Sequence, residues 1–301
     1  MSVAAKPLNS VAQVTIAGVG LLGGSVGLAL RAAGYAGKIV GVGRRREVLE
    51  VAKQRGCIDA IAGDIAEAVA MQTEHELDHL IVLCSPLGTF ASLFEAIAKV
   101  DHDNLFITDA GSTKAQVCAD AKRLLPDPSR YVGAHPMAGS ELHGPQHAKA
   151  ELFKGRLCIL TPEGTDCEHE AIGIVNDFWL TLGMKLTVKT PAEHDRLVAA
   201  ISHLPHAVAV LLVQLPALLP AISIAAACFH DTARIASGGP RVWTDIFSTN
   251  KTAMLESIDQ FAAALAKFRG VIESGDEPAL TKLLEDAKHA RDTWLKATWG
   301  E

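Results

Sequence analysis

Positive charge is scarce in this chain: 28 Lys and Arg stand against 34 Asp and Glu, a formal net charge of −6. No basic stripe interrupts that balance, which excludes a nucleic-acid partner held by counterion release. An anionic small molecule must therefore be gripped by a few placed cations rather than by a general field. Aromatic residues make up only 5%, so the core is aliphatic, as suits helices packed on a parallel sheet. The six cysteines (Cys57, Cys84, Cys118, Cys158, Cys167, Cys228) include no CxxC pair and no His/Cys cluster. That excludes a zinc site and a disulfide framework and predicts reduced thiols in a cytoplasmic protein with no metal. Residues 1–10 contain one lysine and no apolar stretch of the kind a secretion signal needs. Only Leu204–Phe229 is long and apolar enough to be mistaken for a membrane span. It carries His206 and Gln214 and is interrupted by Pro205, Pro216 and Pro220, so it reads as buried helices broken at those prolines.

What is present is ample apolar material, 49% of 301 residues, enough for two domains. From Val14 to Val188 short apolar runs alternate with helical stretches, the rhythm of βαβ units. The runs are Val14–Ala17, Ile39–Val42, His79–Cys84, Leu105–Asp109, Tyr131–Ala134, Leu157–Leu160 and Lys185–Val188. Helical patterns fall at Leu21–Ala33, Glu47–Arg55, Thr89–Val100 and Glu168–Leu182. After about Thr190 the pattern is helical, broken most clearly at Ser237–Pro240. The expectation is an α/β domain over 1–190, with 1–10 disordered, followed by an all-helical domain over 191–301.

Gly18-Val19-Gly20-Leu21-Leu22-Gly23 matches GxGxxG, with a strand running in and a helix running out. The first glycine permits the tight turn, the second lets backbone approach a pyrophosphate, and the third lets helix pack on strand. The phosphates would lie over free N–H groups at the positive end of a helix. Residues 1–190 thus read as a dinucleotide-binding domain of Rossmann type. The expected cofactor contacts are Gly18, Gly20, Leu22 and Gly23, with Ser85 just past the strand His79–Cys84. Where an NAD site places an acid near the second strand's end, this chain has Gly43-Arg44-Arg45-Arg46. Guanidinium groups without a competing carboxylate suit a 2′-phosphate, so Arg44 and Arg45 predict NADP over NAD.

A second cluster follows the strand Leu105–Asp109. In Asp109-Ala110-Gly111-Ser112-Thr113-Lys114, Ser112 could cap the next helix or face a ligand, and Asp109 could simply pair with Lys114. The next strand runs into His135-Pro136-Met137-Ala138-Gly139-Ser140-Glu141, a histidine where a reacting group would meet a nicotinamide. Further on come Ser202-His203-Leu204-Pro205-His206 and Asp231-Thr232-Ala233-Arg234-Ile235-Ala236. His203 and His206, three apart, share a helix face that Pro205 should distort.

Together the glycine loop, DAGSTK, HPMAGSE, SHLPH, DTARIASGGPRVWTDIF and Asn250 resemble the prephenate/arogenate (cyclohexadienyl) dehydrogenase family of tyrosine biosynthesis, in family order and over nearly the whole chain. The resemblance implies an oxidative decarboxylation that needs no metal. His135 would take the proton of the ring hydroxyl as hydride leaves, and Ser112 would position that hydroxyl. Arg234 would hold a substrate carboxylate and His206 the polar side chain, with Glu141 and Trp243 at the rim and His203 structural. The later helices resemble the family's dimerisation domain, implying a homodimer. β-Hydroxyacid dehydrogenases and imine reductases share the architecture but place a catalytic lysine on the first helix after the boundary. Here no lysine lies between Lys189 and Lys251. A non-catalytic dinucleotide sensor would show a degraded HPMAGSE or no Arg234, and both are intact.

Overall fold

A computed structural model describes residues 8–72, 76–100, 102–140, 142–162, 170–217 and 226–299. The chain forms two compact units, residues 1–251 and 252–301. In the first, strands and helices alternate as β1 (Val11–Ala17), α1 (Leu21–Ala32), β2 (Lys38–Val42), α2 (Arg46–Gln54), β3 (Ala60–Ala62), α3 (Ile65–Ala70), β4 (Asp78–Leu83) and α4 (Phe90–Ile97). They continue as β5 (Leu105–Asp109), α5 (Ala115–Leu124), β6 (Tyr131–Pro136), β7 (Leu157–Thr161), α6 (Glu170–Thr181) and β8 (Lys185–Val188). Among the described residues there follow α7 (Pro191–Val198), α8 (Leu204–Ala217), α9 (Ala227–Ala233), α10 (Pro240–Thr249) and α11 (Lys251–Ser274), the last running into the second unit.

The strands make one sheet in the order β3-β2-β1-β4-β5-β6-β7-β8. β1 to β6 are mutually parallel, so their carboxyl ends share one edge. The chain order reverses between β1 and β4, the crevice where such sheets bind dinucleotides. Two apolar clusters cover the two faces, because parallel strands buried on both sides need them. Val14, Ile16, Leu80, Val82, Phe106, Val132 and Ala134 fall in one cluster. Ile81, Leu83, Leu105, Ile107 and Tyr131 fall in the other. The alternation follows from the two-residue period of a strand.

Several expectations change here. Leu8–Ser10, expected to be disordered, form a 3₁₀ turn with Leu8 buried. β3 has three residues and no period to betray it. β7 runs antiparallel to β6, so the sheet is mixed at that side. The helical run Pro191–Leu215, long and apolar enough by composition to cross a membrane, is unbroken at Pro205. A π-helical turn over Ala199–His203 precedes it and already displaces the i→i−4 ladder, so the missing N–H of Pro205 costs little there. Pro216 lies within the last turn of α8, and Pro220 lies outside the described residues.

α1 packs so closely that a Cβ on Gly27 would lie 1.8 Å from the carbonyl oxygen of Cys57. Backbone cannot yield as a side chain does. Gly27→Ala should therefore destabilise the protein by about 1–3 kcal/mol through overpacking, although alanine favours helix by about 1 kcal/mol. Urea unfolding reads this directly, and an unchanged or higher midpoint would remove close packing as the reason for that glycine.

The second unit is a helix pair, the remainder of α11 and α12 (Glu277–Trp299), turned at Gly275 with φ +67°. Ion pairs at i,i+4 spacing, Lys282–Asp286 and Lys288–Asp292, line α12, whereas Phe261, Leu265 and Ile272 stand exposed on α11.

Candidate active site

The glycine loop opens a cavity of about 830 Å³ at the carboxyl edge, lined by Gly18, Gly20, Arg44, Arg45 and Ser85 among others. Gly18 has φ +100°, and a Cβ there would lie 2.5 Å from the backbone nitrogen of Ser85. The turn after β1 thus abuts the turn after β4, which is why Ser85 reaches the cavity. Nothing lies within 4 Å of a Cβ built on Gly20, so the backbone there faces open space of the kind a pyrophosphate needs. Gly23 plays the third part: its Cβ would strike the Gly18 carbonyl at 2.3 Å and Ile16 at 2.8 Å. Leu22 does not line the cavity but packs against the core. At the end of β2, Arg44 and Arg45 are exposed and, among the described residues, unpaired, whereas Arg46 pairs with Glu50 at 3.4 Å. Asp64 also lines the cavity, but its carboxylate is occupied in capping α3, accepting from the Glu67 N–H at 2.8 Å.

Further along the same edge, Asp109 ends β5 and Lys114 precedes α5. Both are fully buried and paired with each other, as the sequence allowed. Burying two charges is tolerated only when their remaining hydrogen-bonding capacity is met. Asp109 accepts from the Gly111 N–H at 2.7 Å, the Tyr131 hydroxyl at 2.8 Å and the Ala134 N–H at 3.0 Å. Ser112, half-buried in the bend between them, does not cap α5. That job falls to Asp195, whose oxygens accept from the N–H groups of Lys114 at 2.7 Å and Ala115 at 2.9 Å.

β6 carries His135 at its carboxyl end, on the face shared with Tyr131 by strand alternation. His135 Nδ1 meets His194 Nε2 at 2.8 Å, and His194 Nδ1 meets Asp195 Oδ1 at 2.8 Å. No hydrogen bond from the described residues reaches His135 Nε2. Burial and the neighbouring His194, Lys114 and His203 hold the His135 pKa well below the ordinary histidine range. None of the sequence motifs above includes His194 or Asp195. A usable signal preceded them: Thr190-Pro191-Ala192-Glu193 forms a capping box with proline at the first turn, which fixes how α7 starts.

His203, nearly fully buried, accepts from the Asn250 side chain at 3.2 Å, and the same amide donates to the Asp195 carbonyl at 2.8 Å. Burial lowers its pKa to about 4. His206 is buried against Trp243, ring on ring at 3.4 Å and 7°. Its Nδ1 has no partner among the described residues. Gly238 permits the stack, since a Cβ there would lie 2.2 Å from Trp243 Nε1. α10, which carries Trp243, is tied to the loops after β4 and β5: Thr249 bonds Thr113 at 2.9 Å, and Asp245 accepts from the Gly88 N–H at 3.2 Å. Arg234 follows α9, exposed and without an ion pair among the described residues. Glu141 lies outside the described residues.

The family model for the nucleotide-binding domain of prephenate dehydrogenase matches residues 26–188, and that for its dimerization domain matches residues 190–286. The chain belongs to the prephenate dehydrogenase family. It is 32% identical over 286 residues to a prephenate dehydrogenase of Bacillus subtilis, covering 93% of this chain and 75% of that one. It is 31% identical over 285 residues to a cyclohexadienyl dehydrogenase of Zymomonas mobilis, covering 93% and 94%. The structure of a prephenate dehydrogenase from A. aeolicus, in complex with hydroxyphenyl propionate and NAD+, superposes with a TM-score of 0.87 at 31% identity, covering 93% and 97%. The chain is therefore an oxidoreductase with a nicotinamide dinucleotide cofactor, which the open Gly20 backbone and the closely packed Gly23 fit.

Proposed function

We propose that this protein is an NADP-preferring dehydrogenase that oxidatively decarboxylates prephenate, arogenate or both. Residues 1–190 bind the dinucleotide, and 191–301 complete the substrate site and the interface of a cytoplasmic homodimer. The observation that carries the reading is His135. It ends a strand on the same sheet edge as the glycine loop, with Nδ1 tied to His194 and Nε2 left without a protein partner among the described residues. When bound, the nicotinamide takes up the hydride. His135 accepts the hydroxyl proton as the hydride leaves that ring carbon, which avoids a protonated carbonyl. Carbon dioxide then departs from the opposite carbon, and electrons return to the oxygen as the ring becomes aromatic.

The remaining residues bind and orient. Ser112, on the adjacent loop, positions the hydroxyl. The unpartnered Nδ1 of buried His206 supports a contact to the polar side chain of the substrate, with Trp243 holding the imidazole in plane and Glu141 at the rim. Gly18, Gly20, Leu22, Gly23 and Ser85 form the dinucleotide cradle, with Leu22 and Gly23 acting through packing. The A. aeolicus complex holds NAD+, but in this chain unpaired Arg44 and Arg45 at the end of β2 favour a 2′-phosphate. Exposed Ile201, Leu211 and Leu215 support a partner subunit over α8.

Arg234 offers a guanidinium with no competing anion, suited to a carboxylate in bidentate fashion. Arg234→Lys keeps the charge and loses the planar fork. It should raise the substrate KM by roughly tenfold or more, the size of one charge-assisted contact, with cofactor affinity and dimer intact. Steady-state kinetics with sedimentation checks both, and a variant that unfolds or loses the cofactor would make Arg234 structural. In the parent enzyme, carbon dioxide should appear in equal amount with reduced cofactor; reduction without decarboxylation would defeat the proposal.

A further inference from the structure

With His194 neutral, the hydrogen bonds around His135 have only one consistent proton arrangement. Asp195 accepts N–H groups at both oxygens, from Lys114 and Ala115, and so presents an acceptor to His194. The 2.8 Å contact therefore places the His194 proton on Nδ1. A neutral His194 then has its lone pair on Nε2, and the 2.8 Å contact to His135 requires the proton on His135 Nδ1. The lone pair of His135 is thereby placed on Nε2, the nitrogen with no partner among the described residues. Setting one ring nitrogen by what the other binds is how a histidine base acquires a fixed tautomer.

We infer that His194 and Asp195 are positioning residues of this site: they fix His135 in its Nδ1–H tautomer, aim Nε2 as the base, and support the imidazolium that forms there. The inference rests on the reading of His135 as proton acceptor. His194 must stay neutral for the chain of bonds to run this way. Burial and Lys114 lower its pKa while Asp195 and Asp109 oppose them, and the net shift is downward. The other ionisable groups facing His135 are Lys114 and His203, which also disfavour a cation there. Within the triad no proton moves between residues. The one taken up at Nε2 returns to the ring oxygen once decarboxylation leaves it as a phenolate, which restores the neutral base. Throughout, His135 keeps its Nδ1–H bond to His194, and His194 keeps its own bond to the Asp195 carboxylate.

Long-range proton–nitrogen correlation spectra of the whole, nitrogen-labelled protein distinguish the tautomers without any assay, His135 and His194 being assigned by loss of signal in His135→Asn and His194→Gln. Both rings are expected as Nδ1–H tautomers near neutral pH, and an Nε2–H His135 overturns the inference whether or not the enzyme turns over prephenate. Kinetics provides the second arm. His194→Leu removes the acceptor and should lower kcat by about 10²-fold or more, within the range a general base supplies, while KM values move only a few-fold. His194→Gln can place a carbonyl near the lost Nε2 and should recover at least tenfold of that loss. Equal defects in His194→Leu and His194→Gln, or a kcat near normal in His194→Leu, would reduce the pair to structural support. Asp195→Asn is the less clean variant because it also uncaps α5.

Discussion

Replacing His135 by asparagine should lower kcat by about 10²–10⁴-fold, the contribution a positioned base makes, while substrate and cofactor affinities change little. Asparagine keeps a hydrogen-bond donor for His194 but has no basic nitrogen, so binding and proton transfer separate. The pH profile gives an independent sign. His135 must be neutral to accept a proton, and its surroundings hold its pKa well below the ordinary value of ~6.5. Activity should therefore rise with pH along an acid limb and be on its plateau by neutrality, and His135→Asn should lose that limb from its residual activity. The limb must be read where the protein is folded. His79 and His203 have folded pKa values of about 3 and about 4, against ~6.5 when unfolded. The unfolded state thus binds more protons below ~6.5, and stability falls as pH drops through that window. Circular dichroism across the same range separates the two effects. A normal kcat in His135→Asn would move the base elsewhere, with His206 the first place to look.

The double variant Arg44→Ala, Arg45→Ala should weaken NADP and leave NAD nearly untouched. Each lost charge-assisted contact costs about 1.5–3 kcal/mol, or roughly 10- to 150-fold in affinity. Both side chains are solvent-exposed before the cofactor binds, which favours the lower end for each. Arg46→Ala should have a smaller effect, because that guanidinium is already engaged with Glu50. Isothermal titration with both cofactors checks this, and equal losses for NADP and NAD would assign the arginines to the shared part of the dinucleotide or to folding.

The parts of this fold that were legible in the sequence are those fixed by nearby residues. The glycine loop declared itself because the strand, turn and helix that give each glycine its task are consecutive. The long strands showed as apolar runs for the same reason. β3 did not, since Ala60–Ala62 is too short for a pattern, and the antiparallel β6–β7 pairing depends on a register no local signal carries. Pro205 misled because a local rule was overridden by the π turn before it. His135, Ser112 and Arg234 were singled out through motifs, and the roles proposed for them come from a resemblance to a family. The Asp195–His194 pair escaped because its partners lie 59 positions away at His135 and 80 at Ala115. A helix capped from a distant segment leaves no trace at its own N-terminus, which is why Ser112 was the natural guess for α5.

The most direct test is a four-way assay of the purified enzyme, each of prephenate and arogenate with each of NADP and NAD, following the near-ultraviolet absorbance of the reduced nicotinamide. The account predicts turnover of at least one of the two substrates, with kcat/KM at least tenfold higher for NADP than for NAD. Turnover with NAD favoured would contradict the role given to Arg44 and Arg45, and no turnover in any of the four combinations would contradict the function itself.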